Sequence, residues 1–280
     1  MPPVILGGTM SSNRSNLIRL FVDSPLAADA TVPLAPEQAH YLANVMRKKP
    51  GDTVLVFNGT DGEWLVQIAE IGKKRATLAV REKTRAQPDI LHDLHVLFAP
   101  IKRTRIDYVA QKATEMGANL LQPVIPRRTQ AERVKTSRLL ANCVEAAEQC
   151  NMLFVPQVEE PLKLDAVLNR WSSERQILFC DEGLARADNV SAADYLRALP
   201  DSAKKSPWAI LIGPEGGFDD AERKTLAAMP CAHPVWLGPR IMRADTALVA
   251  AMAVWQSVLG MAATVLRSAS SKPPSGPMRM

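Results

Sequence analysis

From residue 17 to about residue 88, apolar and polar positions alternate in short runs broken by turn residues, as in Thr53-Val-Leu-Val-Phe57, Asn58-Gly59, Trp64-Leu-Val-Gln-Ile68 and Ala76-Thr-Leu-Ala-Val80. A period of two with tight turns between runs is the pattern of half-buried strands. The stretch therefore reads as a small β-barrel. After Lys83-Thr-Arg-Ala-Gln-Pro88 the period changes. A strand is predicted at 94–99, then a helix over about 104–116 with Ile106, Val109, Ala110, Ala113 and Met116 on one face and Gly117 as its stop. Strands near 119–125, 176–181, 208–212 and 233–237 then alternate with helical stretches, the signature of an α/β domain over residues 89–267.

The most informative stretch begins at Trp208. An apolar run of strand length ends in Gly213-Pro-Glu-Gly-Gly217, and Asp219, Asp220 and Glu222 supply the acidic first turn of a helix. His233–Leu237 repeats the arrangement with Gly238-Pro239. Glycines at such turns bring bare backbone up to a ligand, and open α/β sheets bind ligands at the carboxyl ends of their strands. Two such loops close in sequence predict one shared pocket. The spacing is not Gly-x-Gly-x-x-Gly, and no Gly-Lys-Ser/Thr follows, so a pyrophosphate site is not expected.

Ile212-Gly-Pro-Glu-Gly-Gly217 taken with Leu237-Gly-Pro-Arg-Ile-Met-Arg-Ala-Asp-Thr-Ala247 resembles the paired signature of the SPOUT methyltransferases, specifically the ribosomal RNA small subunit methyltransferase E family. The likeness extends over nearly all of residues 17–267. It includes Arg19-Leu-Phe-Val22, His40-Tyr-Leu-Ala-Asn-Val-Met-Arg47, Lys112-Ala-Thr-Glu-Met-Gly117 and Glu145-Ala-Ala-Glu-Gln-Cys150. It implies a PUA-like barrel followed by a trefoil-knotted α/β domain, S-adenosylmethionine as cofactor, and methylation of uridine N3 in small-subunit ribosomal RNA, free or in the 30S subunit, by a cytoplasmic homodimer. The shared loops leave open another RNA nucleoside or a ribose 2′-hydroxyl as target, and a non-catalytic RNA-binding module as a further alternative. Two departures stand out: Arg243-Ala-Asp-Thr246 where the family reads Arg-Thr-Glu-Thr, and Asn151-Met-Leu153 where it carries a basic residue. The first shortens a carboxylate arm near the pocket; the second removes an expected RNA contact.

Uracil N3 carries a proton and is a poor nucleophile while neutral, so the enzyme must stabilise the imide anion that forms. Arg243, in the matching motif, presents a planar donor fork suited to the uracil carbonyls and is assigned that catalytic role. Asp245 is read as a cap of the last helix, with proton acceptor as the alternative role. For the cofactor, backbone and apolar walls are expected from Gly213, Glu215, Gly216 and Gly217 in the first loop and from Leu237, Gly238, Ile241 and Met242 in the second. Gly216 is expected to be the point of closest backbone approach.

Charge adds an RNA-binding expectation. The whole chain is +5, yet residues 99–138 hold nine basic residues against three acidic ones, a net +6. Clustered Lys and Arg are the footprint of phosphate binding, and Lys102, Arg103, Arg105, Arg127 and Arg128 are the assigned contacts. At 47% hydrophobic, the 280 residues can build a sizeable core. Cys143, Cys150, Cys180 and Cys231 show no zinc spacing and are read as reduced core thiols. The four histidines are scattered, and no metal site is expected. Residues 1–16 read as a flexible leader and 268–280 as a disordered Ser/Pro-rich tail, while the uncharged stretch 247–266 reads as a buried helix, not a membrane anchor.

Overall fold

The computed structural model describes residues 17–72, 74–88, 93–101, 103–129, 133–181 and 190–260, with the side chains of residues 103 and 104 left aside. The leader, the tail, Lys102, His92 and the Arg103 side chain lie outside the described residues. The chain divides into two compact units, residues 1–89 with 147–155 and residues 90–146 with 156–280.

In the first unit β1 (Arg19–Phe21), β2 (Thr31–Pro33), a short helix α1 (Pro36–His40) running on as a π-helical turn (Tyr41–Val45), β3 (Thr53–Phe57), β4 (Glu63–Ile71) and β5 (Ala76–Arg85) follow in order. The strands form one sheet in the order β1-β3-β4-β5-β2, antiparallel except for the parallel β1–β3 pair. Among the described residues no ladder joins β1 to β2, so the expected barrel is an open one. Register shifts at three points of the β4–β5 ladder supply the bending that lets so small a sheet curl around its core.

Period-two alternation sends Val54, Val56, Val66, Ile68, Leu78 and Val80 into one cluster with Leu20, Val32, Leu42 and Trp64. The opposite face of β3 is buried as well. Phe57 packs there against Ala147, Leu153, Phe21, Met152 and Val155.

Segment 147–155 is held in the first unit mainly by backbone carbonyls. Arg19, itself buried, donates from Nη1 to the carbonyls of Ala147 and Glu148, both at 2.9 Å, and from Nη2 to that of Met152 at 2.7 Å. Its Nε donates to Glu63 at 2.8 Å, and its guanidinium stacks 4.7 Å from the Phe57 ring centre. Arg85 adds a hydrogen bond to the Asn151 carbonyl at 3.1 Å. The departure at Asn151-Met-Leu153 thus falls where the chain contributes carbonyls and the buried Leu153 side chain. These features do not depend on a basic side chain there.

The second unit contains β6 (Leu94–Phe98), α2 (Arg103–Glu115), β7 (Leu120–Ile125), α3 (Thr136–Gln149, whose last residues belong to the first unit), β8 (Gln157–Val158), β9 (Leu162–Lys163), α4 (Leu164–Leu168), β10 (Gln176–Cys180), α5 (Ala192–Ala198), α6 (Asp201–Lys204), β11 (Trp208–Ile212), α7 (Asp220–Ala228), β12 (Ala232–Val235) and α8 (Ala244–Trp255), which runs on as a π-helical turn (Gln256–Gly260). The sheet is parallel throughout in the order β12-β10-β11-β6-β7-β8, with β9 also paired to β7. A parallel sheet is covered on both faces, and accordingly all five residues of β11 are buried. Helix α2 turns the predicted face inward, with Ile106, Val109, Ala110 and Ala113 buried, and Gly117 follows at φ +79°.

Helix α8 buries Leu248, Ala251, Met252 and Trp255, one stripe at helical spacing, while Ala253 is exposed. It is therefore one-sided, not buried all round. No described helix is long and apolar enough to cross a membrane. Cys143 and Cys231 are buried and Cys180 is half-buried, but Cys150 is exposed at the surface and is not a core thiol.

Candidate active site

Strand β11 ends at Ile212, and from Gly213 the chain folds back so that Phe218 lies beneath that glycine, 1% exposed and edge-on to Phe179 with ring centres 6.4 Å apart. A Cβ on Gly213 would stand 2.9 and 3.0 Å from two carbons of the Phe218 ring. That contact is why position 213 takes glycine. The Pro214 carbonyl accepts from Gly217 N at 2.8 Å, closing a turn that places Gly217 at φ +65°. Asp219 then caps α7 in a reciprocal box: Glu222 N donates to Asp219 Oδ1 at 2.7 Å, and Asp219 N donates to Glu222 Oε2 at 2.9 Å. The Glu222 amide, and then the charge of Arg127, hold the Asp219 carboxyl below its ordinary range. The other oxygen of buried Glu222 accepts from Arg127 N at 2.7 Å.

The second loop leaves β12 and passes through Gly238 at φ +123° before Arg243 begins α8 as its N-cap. Arg243 makes no side-chain cap. Asp245 is the second residue of α8, and its Oδ1 accepts from Thr246 N at 2.9 Å, so it bonds within the first turn and the capping position belongs to Arg243. Among the described residues Arg243 has no ion-pair partner, and its side chain is exposed.

Together the two loops enclose a cavity of about 530 Å³. Gly213, Glu215, Gly217, Leu237, Gly238, Ile241, Met242 and Arg243 all line it. Gly216 does not. A Cβ there would meet Arg128 Cβ at 3.5 Å, an ordinary contact away from the cavity, so the closest backbone approach lies elsewhere. Gly238 fits that role better: it lines the cavity, its φ is one that side chains resist, and nothing lies within 4 Å of where its Cβ would stand.

Of the basic residues expected on RNA, the structure describes the side chains of Arg105, Arg127 and Arg128. Arg105 lines the cavity and donates to Glu215 Oε1 at 2.5 Å. Arg127 pairs with Asp219 at 3.3 Å and Asp165 at 3.7 Å, and Arg128 donates to the Gly216 carbonyl at 3.3 Å. All three therefore hold the 213–219 loop.

Sequence reasoning missed Asp181. It follows β10 directly, is 3% exposed, lines the cavity, and takes two hydrogen bonds from Arg223 on α7, at 2.6 and 3.1 Å. Its place at the carboxyl end of an apolar strand was a readable signal. Cys180, also on the wall, has its thiol pushed up to about 12, first by burial and then by Asp181, so it stays protonated and is no nucleophile.

A model of the RNA methyltransferase domain matches residues 88–256, and one of the RNA methyltransferase PUA domain matches 34–81. Ribosomal RNA small subunit methyltransferase E of Rickettsia conorii is 31% identical over 236 residues, covering 84% of this chain and 93% of the relative. The chain belongs to the ribosomal RNA small subunit methyltransferase E family. The Synechocystis member is 30% identical over 86% of this chain and 78% of its own length. The crystal structure of the Neisseria gonorrhoeae member, bound to S-adenosyl methionine, shares the fold with a TM-score of 0.74 at 24% identity, over 86% of this chain and 98% of that one.

The cavity's dimensions and chemistry fit the cofactor of a methyltransferase E. Its volume lies within the roughly 300–1,000 Å³ of small-molecule clefts. Ile212, Phe218, Val235, Leu237 and Met242 give apolar walls, and bare backbone at Gly238 gives a close polar edge. Ligand affinity should accordingly separate two glycines. Gly213→Ala drives a methyl into Phe218 and is expected to cost about 1–3 kcal/mol of stability, as overpacking does, and to weaken S-adenosylmethionine binding. Gly216→Ala should match wild type in both urea unfolding and calorimetric titration. Equal behaviour of the two variants would mean that the loop does not fold back on Phe218.

Proposed function

We propose that this chain transfers the methyl group of S-adenosylmethionine to N3 of a uridine in small-subunit ribosomal RNA. The observation that carries the reading is Arg243, an exposed guanidinium without an ion-pair partner among the described residues, on the wall of the cavity closed by Gly213–Gly217 and Leu237–Met242. Bound in that cavity, S-adenosylmethionine supplies a methyl already activated by its sulfonium charge. The chain must then orient the uracil and make its nitrogen nucleophilic. Arg243 would donate to the uracil carbonyls and stabilise the anion as the N3 proton leaves. Neighbouring carboxylates are engaged: Glu215 by Arg105, Asp181 by Arg223. Among the described residues this leaves Arg243 and Arg240 as the unpaired cations on the wall, and of the two Arg243 lies at the start of α8 within the matching motif.

The same reading takes the working form as a cytoplasmic homodimer, with Ile241, 85% exposed at the cavity rim, as apolar surface available for a second copy or for the base. Its RNA is free small-subunit ribosomal RNA or the assembled 30S subunit.

Nucleoside mass spectrometry of ribosomal RNA from a strain lacking the gene tests the assignment. One N3-methyluridine in the small-subunit RNA should disappear and return with the wild-type gene. Loss of a ribose methyl or of another methylated base would reassign the target, and an unchanged nucleoside profile would refute the proposal.

A further inference from the structure

Among the described residues, five of the seven basic side chains in the window 99–138 are paired within the chain. Arg105, Arg127 and Arg128 hold the cavity loop, Lys112 pairs with Glu115 at 2.7 Å, and Arg138 forms a two-pronged pair with Asp107, at 2.8 and 2.5 Å. Arg133 and Lys135 are different. Both are exposed, and neither has an ion pair among the described residues. Both edge a second cavity of about 140 Å³, floored by Ile101, Ile106, Val134 and Leu139 and walled by the Asp107–Arg138 pair. Consecutive residues divide the two cavities at the start of α2, since Arg105 lines the larger one and Ile106 and Asp107 the smaller.

The chemistry of the smaller cavity is specific. A cavity of about 150 Å³ with aliphatic walls accommodates a benzene-sized ring, so this one suits a single pyrimidine and is too small for a cofactor. Its basic rim favours an anion attached to that ring. An apolar slot for a flat ring beside two unpaired cations matches an unpaired nucleotide, the form in which RNA is read with its bases splayed out. We infer that the cavity between the start of α2 and the start of α3 receives an unpaired nucleotide of the RNA substrate, its base on Ile101, Ile106, Val134 and Leu139 and its phosphate on Arg133 and Lys135. The inference rests on the reading that the substrate is RNA. It moves the phosphate contacts from Arg105, Arg127 and Arg128 to Arg133 and Lys135, the two cations of the window left unpaired among the described residues.

Two variants of the full chain separate the parts of the subsite. Val134→Trp fills the slot and keeps the charge; Arg133→Ala with Lys135→Ala removes the charge and keeps the slot. Each is titrated with a single-stranded uridine-containing oligoribonucleotide, with the same sequence as a duplex, and with S-adenosylmethionine. Val134→Trp is expected to bind the single strand at least tenfold more weakly with an unchanged salt slope. The double variant is expected to lower that slope by up to about 1.4, two phosphate contacts at about 0.7 each. Both should bind S-adenosylmethionine as wild type does, which also reports that the fold is intact. An unchanged salt slope in the double variant, or undiminished single-strand affinity in a folded Val134→Trp, overturns the subsite. Should Val134→Trp fail to fold, the slope alone decides. Wild-type protein that neither binds nor methylates any RNA would instead overturn the proposed function.

Discussion

Arg243→Ala should slow single-turnover methylation by roughly 10²–10³, the cost of removing one donor aimed at developing charge, while S-adenosylmethionine and RNA bind within a few-fold of wild type. The reasoning is geometric: the guanidinium lies on the cavity wall, begins α8 without capping it, and has no carboxylate partner among the described residues. Its removal leaves no buried charge behind, so the fold should survive. Arg243→Lys, which keeps the charge and loses the planar fork, should fall between the two. Raising the pH should partly rescue the alanine variant, because more uracil ionises without assistance. The rate is measured against pH for all three proteins. An alanine profile parallel to wild type, or a defect that vanishes at saturating RNA, would reduce Arg243 to a positioning group.

The largest stability effect is expected at the opposite end of the sequence. In Arg19→Ala, Glu63, only 4% exposed, keeps the Thr84 hydroxyl at 2.9 Å and a distant Arg85 at 3.7 Å. The carbonyls of Ala147, Glu148 and Met152 lose their shared donor at the same time. Breaking a buried pair from one side costs about 3–5 kcal/mol. Urea unfolding followed by far-ultraviolet circular dichroism should show a loss of that size in the first unit. S-adenosylmethionine titration should be unaltered, since every residue lining the cavity proposed for it belongs to the second unit. A loss below about 1 kcal/mol would show that the guanidinium network is replaceable by water.

What was legible in the sequence follows from the range of the forces involved. Strands such as Thr53–Phe57 and Trp208–Ile212 and the face of α2 are set by local periodicity, so they could be read directly. The cavity loops were readable because glycine and proline constrain backbone wherever they stand. Partners were not readable. That Arg105 would reach Glu215, 110 residues on, or that Glu222 would bond the Arg127 amide, depends on which strands become neighbours. Gly216 illustrates the same limit, since the motif located the loop but could not say which of its glycines turned away toward Arg128. Composition counted nine basic residues in one window, and only three-dimensional pairing could show that, of the seven described side chains, Arg133 and Lys135 form no ion pair.

The first unit takes its last nine residues from within the second, after α3 has started there. A recombination event that swapped everything before residue 89 would deliver β3 without the Ala147 and Leu153 that cover Phe57, and would strand the Arg19 guanidinium without its carbonyls. The two units cannot be shuffled as cassettes by one crossover. Residues 19, 57 and 147–155 must be inherited together, and drift at Arg19 constrains Ala147 across 128 positions of the gene.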